Sequence, residues 1–236
     1  VRYRVRVIVA IDPGHGGLDP RTGEYVTAGK RAVYAHGPLA RVLPGGLLAE
    51  GRWNRRAAAM LASELYWHGL TPYSTVDDDE ITSHNHVFEW RDVPIRVRRD
   101  RARLAGAWLT VSIHSNALKL TDDERAAGLG QERRHGASYW TRKGQDWTDE
   151  VAELMIQAHK AAQEAIGVRV NEQRRHDGDG DWESDRFGML YAPGGILIER
   201  AYHNHPRDAA RIVNDEAMRA WARAIGEAIR DAAVAS

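Results

Sequence analysis

Two histidines stand at the ends of β-branched runs. His15 closes Ile8-Val9-Ala10-Ile11-Asp12-Pro13-Gly14, and His114 follows Thr110-Val111-Ser112-Ile113. Open α/β sheets bind ligands beyond the carboxyl ends of their strands, so both imidazoles are expected to project into one crevice. Two histidines and one carboxylate make a catalytic zinc donor set, which uses three protein ligands and leaves a position for water. A lone histidine at a strand end is ordinarily a polar cap. His15 differs because Asp12-Pro13-Gly14-His15-Gly16-Gly17 sets it among glycines, which let the backbone approach a ligand closely. A phosphate-binding glycine loop is the weaker reading, since neither Gly-Lys-Ser/Thr nor Gly-x-Gly-x-x-Gly spacing occurs.

Two glutamates are candidates beside them. Glu199 ends the apolar run Gly194-Gly195-Ile196-Leu197-Ile198. A carboxylate there is poorly solvated unless it faces a cleft, and burial would raise its pKa toward a range useful for proton transfer. The competing reading is an ion pair with a neighbour such as Arg200. Glu50 precedes a helical pattern. By residue type alone it is as well explained by the helix dipole and capping as by metal ligation, and His36 and Glu64 compete for the third-ligand role.

Other features read as bland. His84 and His86 form a His-x-His pair in a polar stretch, where a solvated loop is expected. Asp177-Gly178-Asp179-Gly180-Asp181 lacks the twelfth-position Glu of a calcium loop and reads as an acidic loop. His203 and His205 follow Glu199, and cleft and surface positions suit them equally. The arginine-rich segment from Arg91 to Arg103 reads as a solvated helix face, with a contact to a substrate carboxylate as the sharper alternative.

The elements that must position these residues follow from periodicity and punctuation. Strands are expected at Val5 to Ile11, Leu70 to Val76, Trp108 to Ile113 and Gly136 to Thr141. Two short strands, or one interrupted strand, are expected at Met189 to Tyr191 and Ile196 to Arg200. Helices are expected at Arg52 to Trp67, Ile95 to Gly106, Asp149 to Ile166, Asp208 to Val213 and Asp215 to Ala233. Residues 18 to 49 are rich in Gly and Pro and read as a long loop. Residues 117 to 135 read as a polar loop or short helix, and Asn171 to Asp185 as a polar loop. Strands alternating with helices predict an α/β fold, a three-layer domain with a mostly parallel twisted sheet of about six strands and helices on both faces. The 236 residues read as one domain, 1–236, without a separate wall-binding module.

Composition narrows the function classes. The 33 basic and 33 acidic residues cancel, so no global field recruits nucleic acid or an anionic membrane. Without cysteine, disulfides, iron–sulfur clusters and thiolate zinc sites are excluded, and a metal must rest on His, Asp and Glu. No apolar run is long enough for a transmembrane helix, and the alternating Val1 to Arg6 is a strand pattern rather than a signal peptide.

The motifs converge on a family. Ile8-Val9-Ala10-Ile11-Asp12-Pro13-Gly14-His15-Gly16-Gly17 resembles the opening motif of the zinc-dependent N-acetylmuramoyl-L-alanine amidases of the amidase-3 family. Glu50-Gly51-Arg52-Trp53-Asn54 resembles the second motif, Val111-Ser112-Ile113-His114-Ser115-Asn116-Ala117 the third, and Gly195-Ile196-Leu197-Ile198-Glu199-Arg200-Ala201-Tyr202-His203-Asn204 the last. They occur in the family's order across residues 8 to 208. The loop at 18–49 is longer than usual, and Arg200-Ala201-Tyr202 stands where a small residue and an aromatic commonly follow the Glu.

The resemblance implies Zn2+ held by His15, Glu50 and His114, and Glu199 as the catalytic base. The implied reaction is hydrolysis of the amide between N-acetylmuramic acid and L-alanine of peptidoglycan by a metal-activated water. The implied partner is peptidoglycan, glycan strand and stem peptide, with no nucleic acid, no membrane and a monomeric enzyme. The place of action is the cell wall, periplasmic or extracellular, for a phage endolysin or a secreted bacterial enzyme. Residues 18–49 and 117–135 would flank and gate the groove. The alternatives are a zinc peptidase acting on stem peptides, separable by its products, and an inactive wall-binding homologue, against which all four motif residues speak. A nucleotide-binding α/β protein lacks its phosphate loop.

Overall fold

The computed structural model describes residues 6–27, 29–117, 136–166 and 182–236. Six strands form the main sheet: β1 (Ile8–Pro13), β4 (Thr71–Ser74), β5 (Leu109–Asn116), β6 (Ser138–Thr141), β7 (Trp182–Glu183) and β8 (Gly195–Tyr202). Their spatial order is β4-β1-β5-β8-β6-β7, parallel throughout except where β6 runs antiparallel to β8. The expected mostly parallel α/β sheet is thus present.

The helices are α1 (Gly37–Val42), α2 (Glu50–Trp67), α3 (Ile95–Leu104), α4 (Asp146–Ala165), α5 (Pro206–Ile212) and α6 (Asp215–Ala235) among the described residues. Their ends follow local chemistry. α2 stops at Gly69, whose φ of 76° lets Leu70 N–H reach back to Leu65 O at 3.0 Å, a left-handed cap that glycine adopts without Cβ strain. α6 starts at Asn214, whose side chain accepts from Ala217 N–H at 2.9 Å, with Asp215 and Glu216 in its first turn.

The sheet has two unlike faces. Val9, Ile11, Val111, Ile113, Ile196 and Ile198 pack against α2, α4 and α6 in one large apolar cluster. On the other face Ala10 meets only a small cluster with Ala102 and Ala107 around α3, plus Met189 and Ala192. Because strand side chains alternate, Asp12, Ser112, His114 and Glu199 belong to this thinner side.

Two expectations are corrected. Residues 18 to 49 are not one loop: they contain β2 (Arg31–Val33), α1, a 3-10 turn at Pro44–Gly46 and β3 (Leu47–Ala49), with β2 and β3 paired antiparallel. These pieces are three to six residues long, too short for periodicity to register, and they are defined by pairing across the chain. Met189 to Tyr191 is not a strand but part of a 3-10 turn, Gly188–Tyr191. That turn folds back onto β8, where a Cβ at Gly195 would stand 2.6 Å from Met189 O. Of the expected loop or helix at 117–135, all but Ala117 lies outside the described residues, and so does Asp177 to Asp181.

Candidate metal and catalytic site

The three central strands carry the candidate residues to one edge. In register, His114 of β5 lies beside Glu199 of β8, and Ser112 beside Asp12 of β1. β1 then turns: Gly14 N–H bonds Ile113 O at 2.9 Å, and His15 follows with a left-handed φ of 63°. For a non-glycine residue that conformation costs on the order of 1–2 kcal/mol. Arg55 Nη1 and Arg98 Nη2 hold it by donating to His15 O at 2.7 and 3.3 Å. Glycine is required at two neighbouring positions. A Cβ at Gly14 would stand 2.3 Å from His114 Cε1, and one at Gly51 would stand 1.7 Å from Gly16 O. The first turn of α2 therefore packs directly on the His15 turn and brings Glu50 with it.

The His15, Glu50 and His114 donor atoms all lie within 4.8 Å of one another. Glu50 Oε1 is 3.4 Å from His15 Nε2 and 3.3 Å from His114 Nδ1, and the two rings stand perpendicular with centroids 4.9 Å apart. Glu50 is 1% exposed. Its Oε1 also accepts from Ser115 N–H at 3.0 Å, whereas its Oε2 has no hydrogen-bond partner. Oε1 is the oxygen that both imidazoles approach, so it is the atom a cation between them would take. Two imidazoles and a carboxylate are also the ligand types zinc takes, so the residues fit the metal that the resemblance implies. Burial pushes the Glu50 pKa up, but hydrogen bonds from His114 and His15 outweigh it and hold the group well below the usual carboxylate range. Burial pulls His114 down, while Glu50 and Glu199 more than offset it and raise its pKa.

Glu199 faces the same cleft, a cavity of about 510 Å³ that His15, His114, Lys30, Arg186 and Phe187 also line. Burial pushes its pKa up to about 7, with His114 and Lys30 acting against that rise and Glu50 adding to it. Its Oε2 has no hydrogen-bond partner. The Arg200 ion pair does not form. The strand alternates, and the buried Arg200 guanidinium instead stacks 5.3 Å from the Trp221 ring centroid among the helices of the opposite face. Of the competitors for Glu50, His36 is exposed ahead of α1, and Glu64 lies beside Gly226 of α6.

The histidines at 203 and 205 are buried, neither surface nor cleft-lining. His203 Nδ1 bonds Ser115 O at 3.0 Å and lies 3.8 Å from Glu50 Oε2, behind the donor set. His205 precedes α5 and accepts from Asp208 N–H at 3.4 Å. His84 and His86 separate, as their loop position suggested: His84 bonds Ser63 and stacks on Trp67, while His86 pairs with Asp77 at 3.0 Å. Asp77 and Asp79 approach His86 closely enough to resemble a second donor set. Asp77 already accepts from Ser74, His86 and the Glu89 N–H, so this cluster is a loop brace.

The bland reading of the arginine-rich helix fails at Arg101, which donates to Thr75 O at 3.1 Å, and most fully at Arg98. Arg96 and Arg103 are exposed, but Arg98 is 3% exposed. It donates to Asp12 at 3.1 Å, Asp92 at 3.0 Å, Pro13 O at 2.9 Å and Val93 O at 2.6 Å. Asp12 also accepts from Thr75 and Ser112 hydroxyls at 2.8 and 2.6 Å. Burial would raise the Asp12 pKa, but Arg98 and these hydroxyls bring it below its ordinary value. Sequence reasoning missed this brace. Its signal was an acidic residue ending a buried apolar strand, which demands a partner.

A family model described as N-acetylmuramoyl-L-alanine amidase matches residues 9–231. Solved structures with the same fold include an N-acetylmuramoyl-L-alanine amidase from Clostridium difficile 630, 20% identical with a TM-score of 0.62, covering 95% of each chain. AmiC2 of Nostoc punctiforme is also 20% identical, with a TM-score of 0.62 and 94% of each chain covered. The catalytic domain of CwlV from Bacillus (Paenibacillus) polymyxa var. colistinus is 17% identical with a TM-score of 0.63, covering 98% of this chain and 99% of that one. No curated protein matches in sequence.

Proposed function

The chain belongs to the N-acetylmuramoyl-L-alanine amidase family and is an enzyme of that class acting on peptidoglycan, and from this premise we propose that His15, Glu50 and His114 hold a zinc ion while Glu199 is the general base. One observation carries the reading: the buried Glu50 carboxylate meets two imidazoles, and those imidazoles line the same cleft as Glu199. Bound there, zinc would supply a Lewis acid for the scissile carbonyl and for the attacking water.

The rest of the reaction is assigned to the chain's own residues. Glu199 takes a proton from the attacking water and returns it to the departing L-alanine nitrogen. Burial raises the Glu199 pKa, which makes the carboxylate a better proton acceptor than an exposed one and suits it to both steps. The Glu50 carboxylate, held ionised by its neighbours, would offset one of the ion's two positive charges. Arg55 and Arg98 keep His15 in its strained backbone conformation, so its donor is oriented before any ligand arrives. We also read the chain as one catalytic unit acting as a monomer at the cell wall. In support, one sheet with its covering helices spans residues 8 to 235.

Digestion of purified peptidoglycan tests the assignment. Wild type should release stem peptides with free L-alanine amines, lose activity to a chelator and recover it best with zinc. Glu199→Ala should still bind zinc yet lose about 10²- to 10⁴-fold in rate. A Glu199→Ala variant with near wild-type turnover would move the base elsewhere. Recovery with another divalent ion but not with zinc would change the metal.

A further inference from the structure

Among the described residues, the charges that line the cleft are not all paired. Asp12 and Asp92 share Arg98, at 3.1 and 3.0 Å. Lys30 and Arg186 also line the cleft, and neither has a carboxylate within 4 Å among the described residues. Both are exposed. Lys30 lies near enough to Glu199 to oppose the rise in its pKa. Arg186 adjoins Phe187, and Phe187, Met189 and Leu197 give the cleft an apolar wall. Two cations without a carboxylate partner among the described residues, over an apolar wall, suit a ligand with an apolar body and a carboxylate.

The proposed substrate carries such a group. On the leaving side of the scissile amide comes the L-alanine methyl, and then a second residue with a carboxyl group that is either free or amidated. Two residues of extended chain span about 7 Å, which a cleft of about 510 Å³ accommodates. We propose that Lys30 and Arg186 form a carboxylate subsite that reads a free carboxylate on the second residue of the stem peptide, so that this enzyme prefers acidic over amidated stems. This rests on the reading of Glu199 as the group at the reacting amide.

The test uses two soluble muramoyl peptides that differ only in a carboxylate or a carboxamide on the second residue. They are assayed with wild type, Lys30→Ala, Arg186→Ala, the double variant and the charge-keeping Arg186→Lys. Wild type should favour the acid about tenfold in kcat/KM, expressed in KM, the scale that two exposed charge pairs supply. The double variant should bring the preference near unity, Arg186→Lys should keep most of it, and added salt should shrink it. Both side chains are on the surface, so their removal is not expected to disturb folding. If Lys30 serves only to tune Glu199, Lys30→Ala shifts the acid limb of the pH profile equally for both substrates and leaves the preference intact, which overturns its place in the subsite. A wild type that ignores the acid–amide difference, or a double variant that retains it, overturns the subsite. Absence of cleavage of both substrates by wild type would instead sink the amidase reading, and the subsite with it.

Discussion

The two faces of the central sheet obey different rules. One is covered by α2, α4 and α6 and filled by aliphatic side chains with Trp221. The other has a small apolar cluster, and the sheet side chains beyond it are Asp12, Ser112, His114 and Glu199. The first face is held by burial of apolar area, a non-directional force. The second is held by a buried arginine–aspartate brace whose strength depends on geometry. A site that must fix imidazoles and carboxylates by direction is built where the fold already depends on directional bonds. Of the site residues, only Glu50 reaches the site from the apolar side, on the first turn of α2; residues on that face away from this turn can vary in detail without moving the chemistry.

The comparison breaks first at Arg98. Arg98→Met would leave Asp12 buried without its cation, and removing one partner of a buried pair costs about 3–5 kcal/mol. Denaturant unfolding should show that loss. Chelator competition should show weakened zinc binding in the folded fraction, since Arg98 also holds His15 O. A loss under about 1 kcal/mol would mean that the thin face does not depend on its brace.

The matching change on the apolar face is Leu61→Ala. Leu61 is fully buried, and the truncation should cost about 2–5 kcal/mol. Zinc affinity and turnover of the folded enzyme should stay near wild type. Weakened metal binding in this variant would show the two faces to be energetically coupled.

The smallest expected effect sharpens the contrast by pH. Glu199 has its ordinary pKa of 4.5 when unfolded and about 7 when folded and metal-free. The folded state therefore favours the protonated form. Its contribution to stability is complete below about 4.5 and is lost as pH rises through about 7, by up to about 3 kcal/mol. Metal-free wild type should lose stability across that window, and Glu199→Gln should remove the slope. An unchanged slope in the variant would place the titration elsewhere.

Much of the fold was legible because its elements are long enough to show a period. Arg52 to Trp67 carries an apolar stripe with a glycine stop, and α2 differs from that reading only by starting at Glu50. Met189 to Tyr191 misled because three apolar residues cannot distinguish a strand from a turn. The elements within residues 18 to 49 misled because their short segments are defined by partners distant in sequence. His15, His114 and Glu199 were legible as candidates because each combines a polar group with an apolar strand end. Glu50 was ambiguous because a helix-terminal carboxylate has an ordinary electrostatic explanation.

The sequence by itself determined the alternation of strands and helices, the chemistry available without cysteine, and the order of four motifs that identify the family. Those are properties of residue type and local spacing. Only the tertiary structure decided that Glu50 meets both histidines, that Arg98 is buried on Asp12, that Arg200 turns away from Glu199, and that Lys30 and Arg186 line the same cleft as Glu199. Each of those depends on which side chains strands and helices far apart in sequence bring within a few ångströms, and in a crowded interior burial and charge are set by those neighbours.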